Sequence, residues 1–314
     1  MSGHEPSFAA SSRIATPREP LPLDRLRGPQ PRTHRMRLQI REEANPFVRH
    51  HVIGRHAVLP AAAVISRITG ECEALHPGFK FFRAERFRAF KGIVFDDSLR
   101  NPYVLDLIET SGGGQPFVLF EAALWHMGPR GRPRYNYSGA FTLRQRIPPP
   151  PTHPFGGPFP LQDGPATCYQ DGTLFHGPLF AGVQKILKMD KEGLVLECCS
   201  PSVAKRDQGQ FPVNTFNLYT ADVAVQSVVI WARNAYGAAG LPTGFATAEQ
   251  FRPVPFEETY YVSVDVKSSG PRHVKANVTQ HDEQGFVYSR LLGGEAPLNR
   301  GLNALFAEGA KSHL

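Results

Sequence analysis

His51-Val-Ile-Gly-Arg-His-Ala-Val-Leu-Pro60 is the stretch whose reading decides the fold. It sets an imidazole ahead of a proline that suits the first position of a helix, where a missing N–H costs nothing. Ala61-Ala-Ala-Val-Ile65 continues with small and apolar residues on most sides, the pattern of a buried helix. Far downstream, Asp222-Val-Ala-Val-Gln226 sets a carboxyl and an amide four residues apart. On a helix they share a face. The β-branched run Val223-Ala-Val-Gln-Ser-Val-Val-Ile230 would also suit a strand. The apolar segment from Thr220 to Tyr236 exceeds strand length and has no internal turn residue, so a helix is predicted.

Around these two helices lie alternating apolar and polar runs. In the first half, strands are predicted at Arg35–Ile40, Phe81–Phe95, Tyr103–Thr110, Phe117–His126 and Tyr135–Arg146. Asp96-Asp97, Ser111-Gly-Gly-Gly114 and Gly128-Pro-Arg-Gly131 supply turns between them. In the second half, strands are predicted at Val183–Met189, Leu194–Cys199, Tyr260–Lys267, His273–Gln280 and Phe286–Leu292. Each half therefore reads as one helix with an antiparallel sheet. Residues 1–33 are rich in Pro, Ser and Arg and read as a disordered tail. The expected organisation is a first unit over 34–147, a Pro/Gly-rich linker over 148–165, a second unit over 166–296 and a tail over 297–314.

Composition narrows the function. The chain has 314 residues, 41% of them hydrophobic, with 22 Phe against 2 Trp, which suits a sizeable core or an apolar tunnel. No apolar run is long enough to cross a membrane, and no secretory signal opens the chain. Cys72, Cys168, Cys198 and Cys199 lack metal-ligand spacing and read as reduced core residues of a cytoplasmic protein. The net charge of +7 is compatible with an acidic partner. Much of it sits in an Arg-rich stretch over 13–41, and no nucleic-acid-binding motif is present, so neither nucleic acid nor membrane is the expected partner.

The quoted stretches resemble the dehydratase domains of polyketide and polyunsaturated-fatty-acid synthases. That family carries His-x3-Gly-x4-Pro, then Asp-x3-Gln or Asp-x3-His. His51 and Pro60 keep the spacing, but Gly54 comes one place early and Arg55 stands at the glycine position. Asp171-Gly-Thr-Leu-Phe-His-Gly-Pro-Leu-Phe180 is similar to the family's Tyr-Gly-Pro-x-Phe region, with His176 at the Tyr position. Phe87-Arg-Ala-Phe-Lys-Gly-Ile93 and Leu241-Pro242 fit the same family. The resemblance implies an α+β double hotdog, two antiparallel sheets each wrapping a long helix and fused as a pseudo-dimer.

It also implies a reaction: dehydration of a β-hydroxyacyl thioester to the α,β-enoyl thioester by a hydro-lyase. Its partner would be an acyl carrier protein bearing the acyl group on phosphopantetheine, with other synthase components alongside. No cofactor and no metal is expected. His51 is the implied base, and histidine suits that task because its ordinary pKa lies near working pH. Asp222 is the implied acid, which requires a carboxyl pKa raised by burial. Gln226 would orient that carboxyl. Gly54, Pro60, His176, Gly177, Pro178 and Phe180 are the implied substrate-binding residues.

Taken singly, His50, His51 and His56 read as loop histidines, and Asp222 as a helix cap. Their order and spacing together carry the catalytic reading. A double-bond isomerase or cyclase on the same fold, and a non-catalytic carrier-binding scaffold, are the alternatives.

Overall fold

A computed structural model describes residues 31–111, 114–156 and 166–313. The expected tail over 1–30, the turn at 112–113 and the linker over 157–165 lie outside the described residues. In chain order the first half holds strand β1 (Arg32–Leu38), a small hairpin of β2 (Val52–Ile53) and β3 (His56–Ala57), and helix α1 (Ala61–Leu75). Strands β4 (Lys80–Ala89), β5 (Tyr103–Glu109), β6 (Phe117–Met127) and β7 (Pro133–Arg144) follow. The second half holds β8 (Val183–Met189), β9 (Gly193–Cys198), α2 (Leu218–Tyr236), β10 (Ala239–Gly240) and β11 (Gly244–Gln250). It then runs through β12 (Tyr260–Gly270), β13 (His273–His281), β14 (Val287–Asn299) and α3 (Gly301–Lys311).

The strands make one antiparallel sheet in the order β1-β5-β6-β7-β4-β11-β14-β13-β12-β9-β8, with β10 pairing β14. The first five belong to the first half and the rest to the second. The seam is β4 against β11, with Ala84 opposite Ala248 and Phe87 opposite Phe245. This is the double hotdog, two wrapped helices under a shared sheet. Because the seam carries ladder hydrogen bonds, residues 31–314 form one compact unit. The α1 core gathers Ile68, Leu105, Phe120 and Phe141, and the α2 core gathers Leu196, Trp231, Tyr260 and Val278.

Helix α2 forms despite its β-branched residues because packing overrides propensity. Val223, Val229 and Ile230 are all buried. Its start is fixed by Asn217, whose side chain accepts from the amides of Tyr219 and Thr220. Pro60 falls one place earlier than expected, immediately before α1 rather than at its first position. Arg32 and Thr33, expected in the tail, belong to β1 because they pair with Glu109 and Ile108 of β5. The segment 297–314, expected to be a tail, instead carries the last residues of β14 and helix α3. Strand β11 and the β2–β3 hairpin were not anticipated. Cys72, Cys168 and Cys198 are buried and all four cysteines are free thiols. Among the described residues, no helix is long and apolar enough to cross a membrane.

Candidate active site

His51 follows a short 3-10 turn, Pro46–His50, and leads into β2. Its amide donates to the Val48 carbonyl at 2.9 Å, and its carbonyl accepts from the Val58 amide at 2.9 Å. The ring is fixed as well, with Nδ1 2.8 Å from the Val58 carbonyl oxygen. A carbonyl only accepts, so Nδ1 carries the hydrogen and the neutral ring keeps its lone pair on Nε2. Phe175 meets the ring edge-on at 4.8 Å, and Phe180 lies at 5.6 Å.

The second half supplies the partner. Asp222, buried in the second turn of α2, places Oδ1 3.9 Å from His51 Nε2. Its Oδ2 accepts from Gln226 Nε2 at 2.9 Å and lies 3.0 Å from His176 Nε2. Oδ2 is thus engaged by two groups, while Oδ1 faces His51 Nε2. Gln226 is held in turn. Its amide nitrogen also donates to the Phe180 carbonyl at 3.1 Å, and its Oε1 accepts from the Tyr169 hydroxyl at 2.7 Å. Tyr169 accepts from the Val183 amide at 3.0 Å. The loops of the two halves are stitched together: His51 and His176 form an isolated antiparallel bridge, and the Gly177 amide donates to the His50 carbonyl at 2.9 Å.

Burial pushes the His51 pKa down to about 4, against a smaller upward pull from Asp222. The imidazole is therefore neutral at working pH, the state a base needs. For Asp222, burial works upward, but His176, His51 and Gln226 together outweigh it and hold the carboxyl below its ordinary value. The expectation of a raised Asp222 pKa is corrected. Burial does oppose the charge, yet the histidines and the amide beside the carboxyl stabilise it more.

Sequence reasoning brought His51, Asp222, Gln226 and His176 to one place, and the structure puts them in contact. The remaining residues divide. Phe180 packs against His51 and presents its carbonyl to Gln226. His176, Gly177 and Pro178 line a surface recess of about 480 Å³ beside His313. Gly54 sits at the tip of the β2–β3 hairpin with φ of +63° and bonds the Leu305 carbonyl, so it serves the turn rather than a substrate. Pro60 ends the hairpin and starts α1. Tyr169 and Phe175 were missed. Phe175 lay inside the stretch quoted for its His-Gly-Pro, whereas no spacing marked Tyr169.

A narrow apolar cavity of about 110 Å³ lies between the helices, walled by Ala61, Ala62 and Ile65 of α1 and by Ala221, Ala224 and Val225 of α2. Ala221 directly precedes Asp222 in sequence, and Ala61 follows Pro60. Neither His51 nor Asp222 lines it. The ligand atoms of His51, His176 and Asp222 lie within 4.8 Å of one another, a spacing that would admit a metal ion. The 3.0 Å contact between His176 and Asp222 is already the length of a hydrogen bond.

Comparisons with known proteins agree with this geometry. The polyketide synthase dehydratase N-terminal domain family matches residues 150–296, which here form mostly the second hotdog. A component of the polyunsaturated fatty acid synthase of Thraustochytrium sp. is 27% identical over 255 residues, covering 80% of this chain. The match covers only 9% of that relative's length. The dehydratase domain from the CurJ module of the curacin polyketide synthase superposes with a TM-score of 0.64 at 11% identity, over 89% of this chain and 96% of that one. A trans-AT polyketide synthase dehydratase domain from Brevibacillus brevis gives a TM-score of 0.62 at 13% identity, over 86% and 94% of the two chains. In fold the chain is similar to the dehydratase domains of polyketide synthases, and in sequence to the polyketide synthase dehydratase family over residues 150–296 and to a segment of a polyunsaturated fatty acid synthase.

Proposed function

We propose that this chain is a hydro-lyase that dehydrates a β-hydroxyacyl thioester, delivered on the phosphopantetheine arm of an acyl carrier protein, to the α,β-enoyl thioester. One observation carries the reading: a neutral imidazole with a free Nε2 faces a carboxylate oxygen across 3.9 Å, between the two halves of the fold. In this reading the acyl thioester is held with its α- and β-carbons between His51 Nε2 and Asp222 Oδ1. His51 Nε2 takes the α-proton. First-turn N–H groups of α1, at the positive end of a buried helix, receive the thioester oxygen as charge builds on it. Asp222 Oδ1 passes a proton to the departing hydroxyl, which leaves as water. His176, 3.0 Å from Oδ2, and Gln226, at 2.9 Å, hold the carboxyl in place as it gives up that proton. The imidazolium of His51 then returns the abstracted proton to Asp222, and no other reactant is consumed.

The test is turnover of a β-hydroxyacyl thioester on carrier protein or pantetheine, followed as enoyl absorbance. His51→Ala and Asp222→Ala should each lose roughly 10²–10⁴-fold in rate while retaining the wild-type circular dichroism spectrum. Full activity in either variant would falsify the assignment. A chelator should leave the rate unchanged; loss on chelation would replace the proton relay by a metal bound at His51, His176 and Asp222. Appearance of a shifted double bond or a ring as first product would move the reading to the isomerase or cyclase. A non-catalytic scaffold would be favoured by a motif departure at Arg55 that reached the reacting groups. That side chain is 85% exposed on the hairpin tip, so the motif departure does not reach the reacting groups.

A further inference from the structure

Helix α3 touches both loops that build the site. On the β2–β3 hairpin, the Gly54 amide donates to the Leu305 carbonyl at 2.9 Å, and Arg55 pairs with Glu308 at 2.9 Å. Gly309 lies flat on β2, where a Cβ would collide with the Val52 carbonyl oxygen. On the other loop, Ala307 sits so close to Gly172 that a Cβ there would come within 2.9 Å of the Ala307 Cα. Phe306 is fully buried and meets the Phe175 ring edge-on at 4.5 Å. Phe175 in turn stacks on His176 at 4.0 Å and meets His51 at 4.8 Å. Past the helix, His313 stacks on His50 at 5.9 Å. Residues 301–313 therefore brace the base and the partner of the acid from behind.

We propose that α3 is a working part of the site, with Phe306 and Gly309 as positioning residues that hold the His51 hairpin and the His176 loop in register. The base would face Asp222 only while this helix is docked. The motif departure acquires a reason: with Gly54 at the hairpin tip, Arg55 is turned outward to meet Glu308 rather than inward to the substrate. A segment remote in sequence from both motifs thus controls the chemistry, through aromatic contacts rather than through a reacting group.

The inference rests on the dehydratase reading for its rate effects, but not for its primary measurement. That measurement is the titration of the His51 ring by NMR in the full chain. In Phe306→Ala the ring that backs Phe175 is lost, so Phe175 is no longer held against His51 and water gains access. The His51 pKa should then rise from about 4 toward its ordinary value of 6.5 by roughly one unit or more. In turnover, kcat should fall roughly tenfold or more with KM little changed, because misplacing a base costs rate rather than binding. Phe306→Leu should restore most of both. Glu308→Lys, on the surface, sets like charges together and should cost roughly two- to fivefold in kcat, recovered by adding Arg55→Glu. If Phe306→Ala does not fold, that charge swap decides. A folded Phe306→Ala with an unmoved His51 titration overturns the proposal, as does a charge swap that recovers nothing. If the titration moves as expected but the wild-type chain turns over no β-hydroxyacyl thioester, the brace stands and the dehydratase reading falls.

Discussion

Holding His51 neutral in an apolar site should make the fold sensitive to mild acid, and the size of the effect follows from its pKa. The folded value is about 4 and the ordinary value 6.5. Between these limits the unfolded chain binds a proton that the folded chain refuses. Stability therefore falls as the pH drops below 6.5, and the full penalty is reached below about 4. The gap of 2.5 pH units corresponds to about 3 kcal/mol at roughly 1.4 kcal/mol per unit, a large part of the stability of an ordinary domain. His51→Gln removes the titration, while its amide can still donate to the Val58 carbonyl. Urea unfolding of both proteins at pH 7, 6, 5 and 4, followed by the fluorescence of buried Trp231, gives the difference directly. The wild type should lose about 3 kcal/mol more than the variant over that range. Asp222 does not blur this window. Its folded pKa is depressed below 3.8, so the stability that it contributes is lost only at lower pH. His281, fully buried and also lowered to about 4 by burial, adds an effect of the same sign that both proteins share. Parallel stability curves from pH 7 to 4 would refute the reasoning, because they would mean that the folded chain protonates His51 as readily as the unfolded one.

Two further outcomes follow from the same geometry. In the dehydratase assay, kcat/KM should be flat from pH 7 to about 5 on its acidic side and then fall tenfold per unit as the pH drops through about 4, since only neutral His51 accepts the α-proton. An acidic limb centred near 6.5 would show that the base is solvated during turnover. Tyr169→Phe removes one hydroxyl but strands the Gln226 Oε1 and the Val183 amide. It should cost about 1–3 kcal/mol in denaturant unfolding and lower kcat more than it raises KM, because the amide that holds Asp222 is then free to turn.

The legible part of the fold was the part written in periodicity. Alternation along β6, where buried and less buried residues follow one another from Phe117 to Met127, announces a strand with one covered face. The length of the apolar segment in α2 announces a helix even through its valines. What escaped was structure held by long-range contact. Strand β11 takes its place by pairing with β4 and β14 at the seam, and Gly244-Phe-Ala-Thr-Ala-Glu-Gln250 has too little alternation to declare itself alone. Helix α3 is short and carries five small residues, Gly301, Ala304, Ala307, Gly309 and Ala310, so few large side chains mark it as a packed element. At Gly309 that smallness is what allows the helix to lie against β2.

The same distinction separates what was seen of the site from what was missed. Histidine, aspartate and glutamine at fixed spacing are visible because chemistry constrains which residue types can do the work. Their pKa values are not visible, since burial and neighbouring charge oppose each other and only distances decide between them. Asp222 shows this. Burial alone predicts a raised carboxyl pKa, yet an imidazole at 3.0 Å and an amide at 2.9 Å reverse the direction. In the proposed dehydration, Asp222 gives up a proton that its surroundings hold weakly. The histidine at position 176 thus shares in the charge balance at Asp222 through its 3.0 Å contact with Oδ2.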